Sequence, residues 1–149
     1  MTRPSIHASA VLVGARAVMI QGPSGSGKSR LALALLQAAE QGMLPFARLV
    51  ADDRAHVEAV HGRLLVRAAP ALAGLIEVRG LGIRRVPHEP MAVAGLLVEL
   101  GQPDMARLPG DSAQQAEIHG IILPRLAVAV GAAPLPLVLA YLRTTGGPD

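Results

Sequence analysis

The strongest indication of the fold lies in the residues Gly22-Pro23-Ser24-Gly25-Ser26-Gly27-Lys28-Ser29. It matches the pattern G-x-x-x-x-G-K-[ST], in which the backbone N–H groups of a glycine-rich loop wrap around phosphate groups. The apolar residues 17–20 before it indicate a buried strand, and the sequence from Arg30 onward indicates a helix. This strand–loop–helix context predicts that all eight residues form a nucleotide phosphate-binding loop.

Lys28 is the single lysine among the 14 lysine and arginine residues of the chain. A lysine at this position supplies a compact point charge to the β- and γ-phosphates, and the hydroxyl of Ser29 then binds Mg²⁺. The larger, forked guanidinium of arginine is not equivalent there. The exception to an otherwise all-arginine usage therefore supports a working phosphate site.

Length and composition predict one domain, residues 1–149, with an aliphatic core. The chain has 149 residues, is 51% hydrophobic, and contains one Tyr, one Phe and no Trp. Aromatic stacking on bases is therefore excluded as a main binding mode. The absence of Cys excludes disulfides, thiolate metal sites and cysteine nucleophiles, and it agrees with a reducing compartment.

The charge pattern favours neither nucleic acid nor a membrane as a partner. The formal net charge is +3, but the arginines are scattered and the longest cluster is the pair Arg84-Arg85. The amino end lacks the apolar core of a signal peptide. The uncharged run 126–142 is broken by Gly131, Pro134 and Pro136, which indicates a strand, a turn and a short helix rather than a membrane span. We therefore expect a cytoplasmic protein.

Hydrophobic periodicity predicts more strands than helices. Residues 6–13 and 17–20 indicate a hairpin, and residues 31–41 an amphipathic helix that Gly42 ends. Further strands are predicted at 49–51, 55–60, 64–66, 75–78, 93–100 and 121–130, the last interrupted by Pro124, with an irregular segment at 102–114 and a terminal helix at 135–143. This order does not fit a simple alternating array of strands and helices.

The chain has only 11 acidic residues, and two of them, Asp52 and Asp53, directly follow an apolar strand. Successive side chains on a strand point in opposite directions, so one aspartate can face the phosphates and the other a second partner. An aspartate at a strand end near a phosphate loop normally serves the metal. A pair that merely caps a turn is the structural alternative.

Glu77 lies in an apolar strand, where an unpaired charge is unfavourable. It either pairs with Arg79 along one face of the strand, or it serves as a metal ligand or an anchor for that arginine. The five histidines show no metal-ligand spacing. His7, on the strand before the loop-delivering one, taken alone fits an ordinary half-buried position.

These segments occur in an order that resembles the catalytic domain of HPr kinase/phosphorylase. The resemblance rests on His7, residues 22–29, the string Leu49-Val50-Ala51-Asp52-Asp53-Arg54, and residues 75–83 with their Leu-x-Glu-x-Arg-Gly-x-Gly pattern. It is strong from His7 to about Val86 and weaker beyond. It implies an α/β P-loop kinase domain of the HPr kinase and phosphoenolpyruvate carboxykinase type, a mixed sheet with flanking helices, in a short form that lacks the amino-terminal domain.

The resemblance also implies a function: ATP- and Mg²⁺-dependent phosphorylation of a serine on an HPr-type phosphocarrier protein. Lys28 then contacts the phosphates, Ser29, Asp52 and Glu77 serve Mg²⁺, and Asp52 or Asp53, with a slight preference for Asp53, is the catalytic base. His7 is expected beside the active site and Arg79 in the catalytic signature loop. A homo-oligomer is implied as well, with a hexamer as the expected size.

One departure from the family pattern keeps alternatives open. The family usually has a Gly-Arg-Asn turn after its late strand, whereas this chain has Gly131-Ala132-Ala133, which puts the reverse, phosphate-dependent dephosphorylation in doubt. The rival functions are a small-molecule kinase, which needs a closed acceptor pocket, and a nucleotide-sensing switch that transfers nothing. The set of Lys28, Ser29, Asp52, Asp53 and Glu77 argues against the switch, because a sensor needs no base.

Overall fold

The computed structural model describes residues 5–103 and 114–146 of the chain. This part contains eleven strands, two α-helices and a short 3-10 turn at Pro70–Leu72. In chain order the elements are β1 (Ser5–Ile6), β2 (Ala8–Val13), β3 (Arg16–Gln21), α1 (Lys28–Glu40), β4 (Ala47–Ala51), β5 (Ala55–Val60), β6 (Arg63–Arg67), β7 (Leu75–Val78), β8 (Gly82–Arg85), β9 (Ala92–Gln102), β10 (Gln115–Ile118), β11 (Ile121–Ala129) and α2 (Pro134–Arg143).

A nine-stranded mixed sheet forms the framework. Its strands follow the order β1-β5-β6-β9-β3-β2-β4, and β11 also pairs with β9 and carries β10 on its outer side. The pairs β3–β9 and β9–β11 are parallel, whereas β2 pairs antiparallel with both β3 and β4. The hairpin β7–β8 is a separate two-stranded sheet. The predicted α/β class with a mixed sheet is therefore confirmed.

The core is aliphatic, as the composition predicts, and it lies on both faces of the main sheet. Alternate residues of β3 supply the two sides: Val18 and Ile20 pack with α1 and α2, whereas Ala17 and Met19 pack on the opposite face. The β5 and β6 strands contact β2 and β4, so the sheet folds back over that second face. Neither helix in the described ranges has the length and hydropathy that a membrane crossing needs.

Most predicted elements are present, with four corrections. His7 is a bend that divides the predicted first strand, and β1 pairs with β5 instead of β3. The strand β11 runs through Pro124 without interruption, because β9 pairing begins only at Arg125 and Pro124 has β10 alone as its neighbour. The strands β8 and β10 were not predicted. Most of the predicted irregular segment 102–114 lies outside the described residues.

Candidate functional site

The glycine-rich loop joins β3 to α1, and Lys28 is the first residue of the helix. Gly27, at the helix N-cap, has φ 103°, a conformation that glycine adopts without the strain a side chain brings. The ammonium of Lys28 donates to the carbonyl oxygens of Gly22, at 3.0 Å, and Pro23, at 3.3 Å. Lys28 is only 7% exposed. The loop therefore curls around a nearly buried positive charge.

The amino end of α1 adds to this positive potential. The first intrahelical bond runs from the Leu31 N–H to the Gly27 carbonyl at 2.9 Å. The amides before it have no acceptor within a helix, and they point out of its amino end. The first turn of α1 contains no acidic residue. Together with Lys28 these groups form an arrangement that attracts an anion.

Residues at the end of β9 pack closely against the glycine-rich loop. Gly101 has φ +68°, and a Cβ placed there lies 3.0 Å from Cδ of Pro23. A Cβ at Gly22 lies 3.0 Å from Cβ of Leu100 and 2.5 Å from Oγ of Ser26. The contact is therefore close enough that a side chain at either glycine displaces the loop.

Asp52 follows β4 and accepts hydrogen bonds at both carboxylate oxygens. Its Oδ1 accepts from Ser29 Oγ at 2.6 Å and from Ser9 Oγ at 2.8 Å, and its Oδ2 accepts from the backbone N–H of Glu77 at 3.0 Å. One carboxylate thus joins the loop helix, strand β2 and strand β7. These three hydrogen bonds fix the orientation of the Asp52 carboxylate.

The side chain of Asp53 is exposed and lies near Lys28 instead of Ser9 and Ser29. Its φ of 64° lies in the left-handed region, and its Oδ1 lies 4.0 Å from Nζ of Lys28. Its side chain is 70% exposed, whereas that of Lys28 is 8% exposed. The two carboxylates have different partners because Asp53 lies in a turn after β4, not because strand side chains alternate. That one of them faces the phosphates stays a prediction.

Lys28 and Asp53 border a cleft of about 450 Å³. Its lining consists of loop and α1 residues on one side and of Asp53 and β7 residues on the other: Ser24, Gly25, Gly27, Lys28, Ser29, Arg30, Leu33, Asp53, Glu77, Val78 and Arg79. A second cavity of similar size lies at β10 and β11, and its described lining is uncharged. The cleft at the loop is therefore the candidate functional site.

Glu77 is exposed in β7, so its position in an apolar strand does not bury its charge. No ion pair joins Glu77 to Arg79 within the described ranges, and Arg79 lies in the turn after the strand. Both residues line the cleft. The alternative in which Glu77 forms an ion pair with Arg79 is therefore not observed, and the functional alternative for these residues stays a prediction.

Oxygen atoms dominate the possible metal ligands. Within residues 5–103 and 114–146, no three His, Cys, Asp or Glu side chains are arranged to hold a metal ion by themselves. Mg²⁺ does not need such a cage, because it usually takes one or two carboxylates together with water and substrate phosphates. The Ser29 hydroxyl and the carboxylates of Asp52 and Glu77 fit that pattern of donors.

One predicted participant, His7, lies outside the cleft. His7 is exposed at the bend before β2 and does not line the cleft, although its neighbour Ala8 pairs with Gln21, which precedes the loop. Arg125 forms an ion pair with Glu99, Nε to Oε1 at 2.7 Å, and its side chain is only 16% exposed. The turn at residues 131–133 supplies no guanidinium, as the sequence indicates.

Sequence reasoning missed Ser9 and Arg30. Ser9 is a fully buried polar residue on β2, and Arg30 lines the cleft from the first turn of α1. A lone serine in an apolar strand resembles any small core residue, so the sequence carries no clear signal for it. Arg30 directly follows the predicted loop. A cation at the positive end of a helix is unfavourable by itself, so the sequence did mark Arg30 as a candidate functional residue.

The mixed-sheet fold and the loop-bordered cleft define an α/β domain with an anion-attracting site. The family described as HPr Serine kinase C-terminal domain matches residues 1–89. The chain belongs to this family. It is 36% identical over 140 residues to the HPr kinase/phosphorylase of Limosilactobacillus reuteri, and 32% identical over 139 residues to that of Streptococcus thermophilus.

These alignments cover 86% of the chain but only 41% and 43% of the two relatives, so the chain spans less than half of their length. A solved structure of similar extent is that of the Hpr(Ser) kinase/phosphatase from Coxiella burnetii. It matches with a TM-score of 0.73 and 22% identity, over 95% of each chain. The fold is therefore shared across the late strands and α2, beyond the residues that the family match covers.

Proposed function

We propose that this chain is an ATP- and Mg²⁺-dependent kinase that phosphorylates a serine of an HPr-type phosphocarrier protein. The observation that carries the proposal is the cleft shared by Lys28 and Asp53. A buried cation in the loop and an exposed carboxylate 4.0 Å away are the two groups that serine phosphorylation needs. Family membership and the names of the relatives support the choice of acceptor.

The loop and Lys28 bind the triphosphate in this proposal. The amides at the start of α1 donate to phosphate oxygens, and the ammonium exchanges its contacts with the Gly22 and Pro23 carbonyls for the β- and γ-phosphates. The chemistry of phosphoryl transfer asks mainly for position and charge, which these groups supply.

The oxygen donors of the site suit Mg²⁺. Asp52 accepts the Ser29 hydrogen bond, so the hydroxyl oxygen of Ser29 keeps its lone pairs free for a cation. Glu77, exposed in the same cleft, is the carboxylate with open oxygens. A bound Mg²⁺ neutralises charge on the β- and γ-phosphates during transfer.

Asp53 is assigned as the base, because Asp52 is occupied by three hydrogen-bond donors. The acceptor serine oxygen forms a bond to the γ-phosphorus while the bond from that phosphorus to the ADP oxygen breaks. The hydroxyl proton passes to the Asp53 carboxylate. Because transfer proceeds through a loose transition state, a weak base held in position is sufficient.

The exposure of Asp53 favours a protein acceptor over a small molecule. A small-molecule kinase encloses its acceptor, but 70% of the Asp53 side chain is open to solvent. A folded protein that presents a serine on its surface can reach such a carboxylate. The test is ADP production with ATP and Mg²⁺, with and without purified HPr-type carrier. We expect the rate of ADP production to rise when carrier is added. A rate that does not rise with carrier would instead indicate the nucleotide-sensing switch.

A further inference from the structure

Ser9 is, with Lys28, one of the two polar or charged residues that are buried within residues 5–103 and 114–146. It is 0% exposed and lies on β2, between β3, which leads into the loop, and β4, which leads into the aspartates. A buried hydroxyl is unfavourable unless its hydrogen-bonding capacity is met. Ser9 meets that capacity at both aspartates.

The hydroxyl of Ser9 connects the two carboxylate residues. It donates to Oδ1 of Asp52 at 2.8 Å, and its oxygen accepts from the backbone N–H of Asp53 at 3.0 Å. A hydroxyl has one proton and two lone pairs, so it can do both at once. No aliphatic side chain of similar size can replace this bridge.

The backbone at Asp53 needs such a restraint. The Arg54 N–H donates to the Asp52 carbonyl at 2.8 Å, which closes a three-residue turn around Asp53 with its φ of 64°. Turns of this size with a positive central φ are the strained variety. The Ser9 oxygen holds the amide of the central residue, and this turn determines where the Asp53 carboxylate points.

We propose that Ser9 is a positioning residue, which holds the Asp52–Asp53 turn so that the Asp53 carboxylate faces Lys28 and the acceptor. The inference rests on the proposed kinase function. Ser9 is fully buried and does not line the cleft, and Asp52 has two hydrogen-bond donors besides Ser9, namely Ser29 and the Glu77 amide. Loss of the hydroxyl therefore lowers kcat and leaves nucleotide binding nearly unchanged.

The main test compares Ser9→Ala with Ser9→Thr, which keeps the hydroxyl in a strand that suits a β-branched residue. We expect Ser9→Ala to lower kcat about tenfold or more, with less than about a twofold change in KM for ATP, and Ser9→Thr to recover most of the rate. Val11→Ala is the matched control, because it weakens the same strand in the core without touching the bridge. It should lower the melting temperature and leave kcat unchanged.

A double-mutant cycle separates positioning from a merely structural role. If Ser9 acts through Asp53, Ser9→Ala should change the residual rate little once Asp53→Asn is present. Full additivity of the two effects would overturn the proposal, as would normal kcat in Ser9→Ala. If Ser9→Ala does not fold, Ser9→Cys, with its weaker hydrogen bonding, takes its place in the cycle.

Amide hydrogen exchange at Asp53 makes the test independent of transfer activity. The Asp53 amide should exchange faster in Ser9→Ala than in wild type or Val11→Ala, and unchanged protection would overturn the positioning role. A wild-type protein that transfers no phosphate would contradict the proposed function, whereas the exchange result would still decide on Ser9.

Discussion

The ammonium nitrogen of Lys28 lies 4.0 Å from Oδ1 of Asp53, and the two side chains differ sharply in exposure, 8% against 70%. The Lys28 ammonium is held by carbonyl oxygens of the loop, whereas the Asp53 carboxylate lies on the solvent-exposed side of the cleft. An ion pair at this distance, with its carboxylate largely in solvent, contributes little to stability. In the proposed kinase, the pair instead serves phosphoryl transfer, with Lys28 toward the phosphates and Asp53 toward the acceptor serine.

Lys28→Arg is expected to retain the fold and lose most phosphoryl transfer. The guanidinium keeps the charge, but it is too large for the space between the Gly22 and Pro23 carbonyls that Lys28 occupies. Loss of one such charge contact typically lowers the rate about a hundredfold or more. Transfer rates and circular dichroism measure the two properties, and near-normal transfer by this variant would mean that Lys28 does not serve a phosphate.

Asp53→Asn and Asp52→Asn should fail in different ways. Asp53→Asn removes the proposed base, so kcat should fall while ATP affinity in the presence of Mg²⁺ stays near that of wild type. Asp52→Asn alters a carboxylate with three hydrogen bonds, including that of Ser29, so Mg²⁺-dependent nucleotide binding should weaken as well. Calorimetry measures the nucleotide affinity of each variant, and single-turnover transfer measures its rate. Normal transfer rates in both variants would show that Asp52 and Asp53 only form a structural turn.

Local sequence patterns predicted the elements with strong periodicity. The helix predicted at 31–41, the strand before the aspartates, the strands at 55–60 and 64–66 and the terminal helix all occur, with bounds that differ by three residues or fewer. The parallel pairing of β9 with both β3 and β11 joins segments distant in the chain, and no local pattern encodes it. The β8 strand was missed because its glycine-flanked, arginine-rich sequence resembles a loop.

For the site, the motif residues could be named from sequence because each has a fixed chemical role at a fixed spacing. Their gathering around one cleft follows from tertiary packing, because β4 of the main sheet and β7 of the separate hairpin both contact α1. Ser9 could not be named, since only the pairing of β2 with β4 places its hydroxyl at Asp52. The expected homo-oligomer stays a prediction.

Gly101→Ala should weaken nucleotide binding through the loop. Its Cβ would lie 3.0 Å from Cδ of Pro23, and its φ is positive. Gly62→Ala is the matched control, because Gly62 also has a positive φ but no atom lies within 4 Å of its Cβ. Both variants should lose stability, by roughly 1 kcal/mol from the backbone alone. Only Gly101→Ala should lose ATP affinity, and equal affinities would show that β9 does not support the loop.

The kinase direction should greatly exceed phosphate-dependent dephosphorylation. In the reverse reaction inorganic phosphate attacks a phosphoserine, and bringing two anions together calls for forked cationic donors. The turn at 131–133 offers none, and Arg125 is engaged with Glu99. Arg79 is the better substitute, because it lines the cleft.

Pyrophosphate release from phosphorylated carrier and millimolar phosphate measures the reverse rate. Arg79→Ala should abolish what remains of it, and Arg84→Ala, on the exposed β8 strand outside the cleft, should not. A reverse rate similar to the kinase rate in both variants would mean that another cation serves the reaction.

The proposed kinase activity is tested most directly by transfer of label from γ-labelled ATP to the host's HPr-type carriers in the presence of Mg²⁺, followed by mapping of the modified residue. We expect acid-stable phosphoserine at one carrier serine, abolished when that serine is changed to alanine and strongly reduced with the Asp53→Asn enzyme. Nucleotide binding without any phosphoserine on the carriers, under conditions where the enzyme is folded, would contradict the proposed activity.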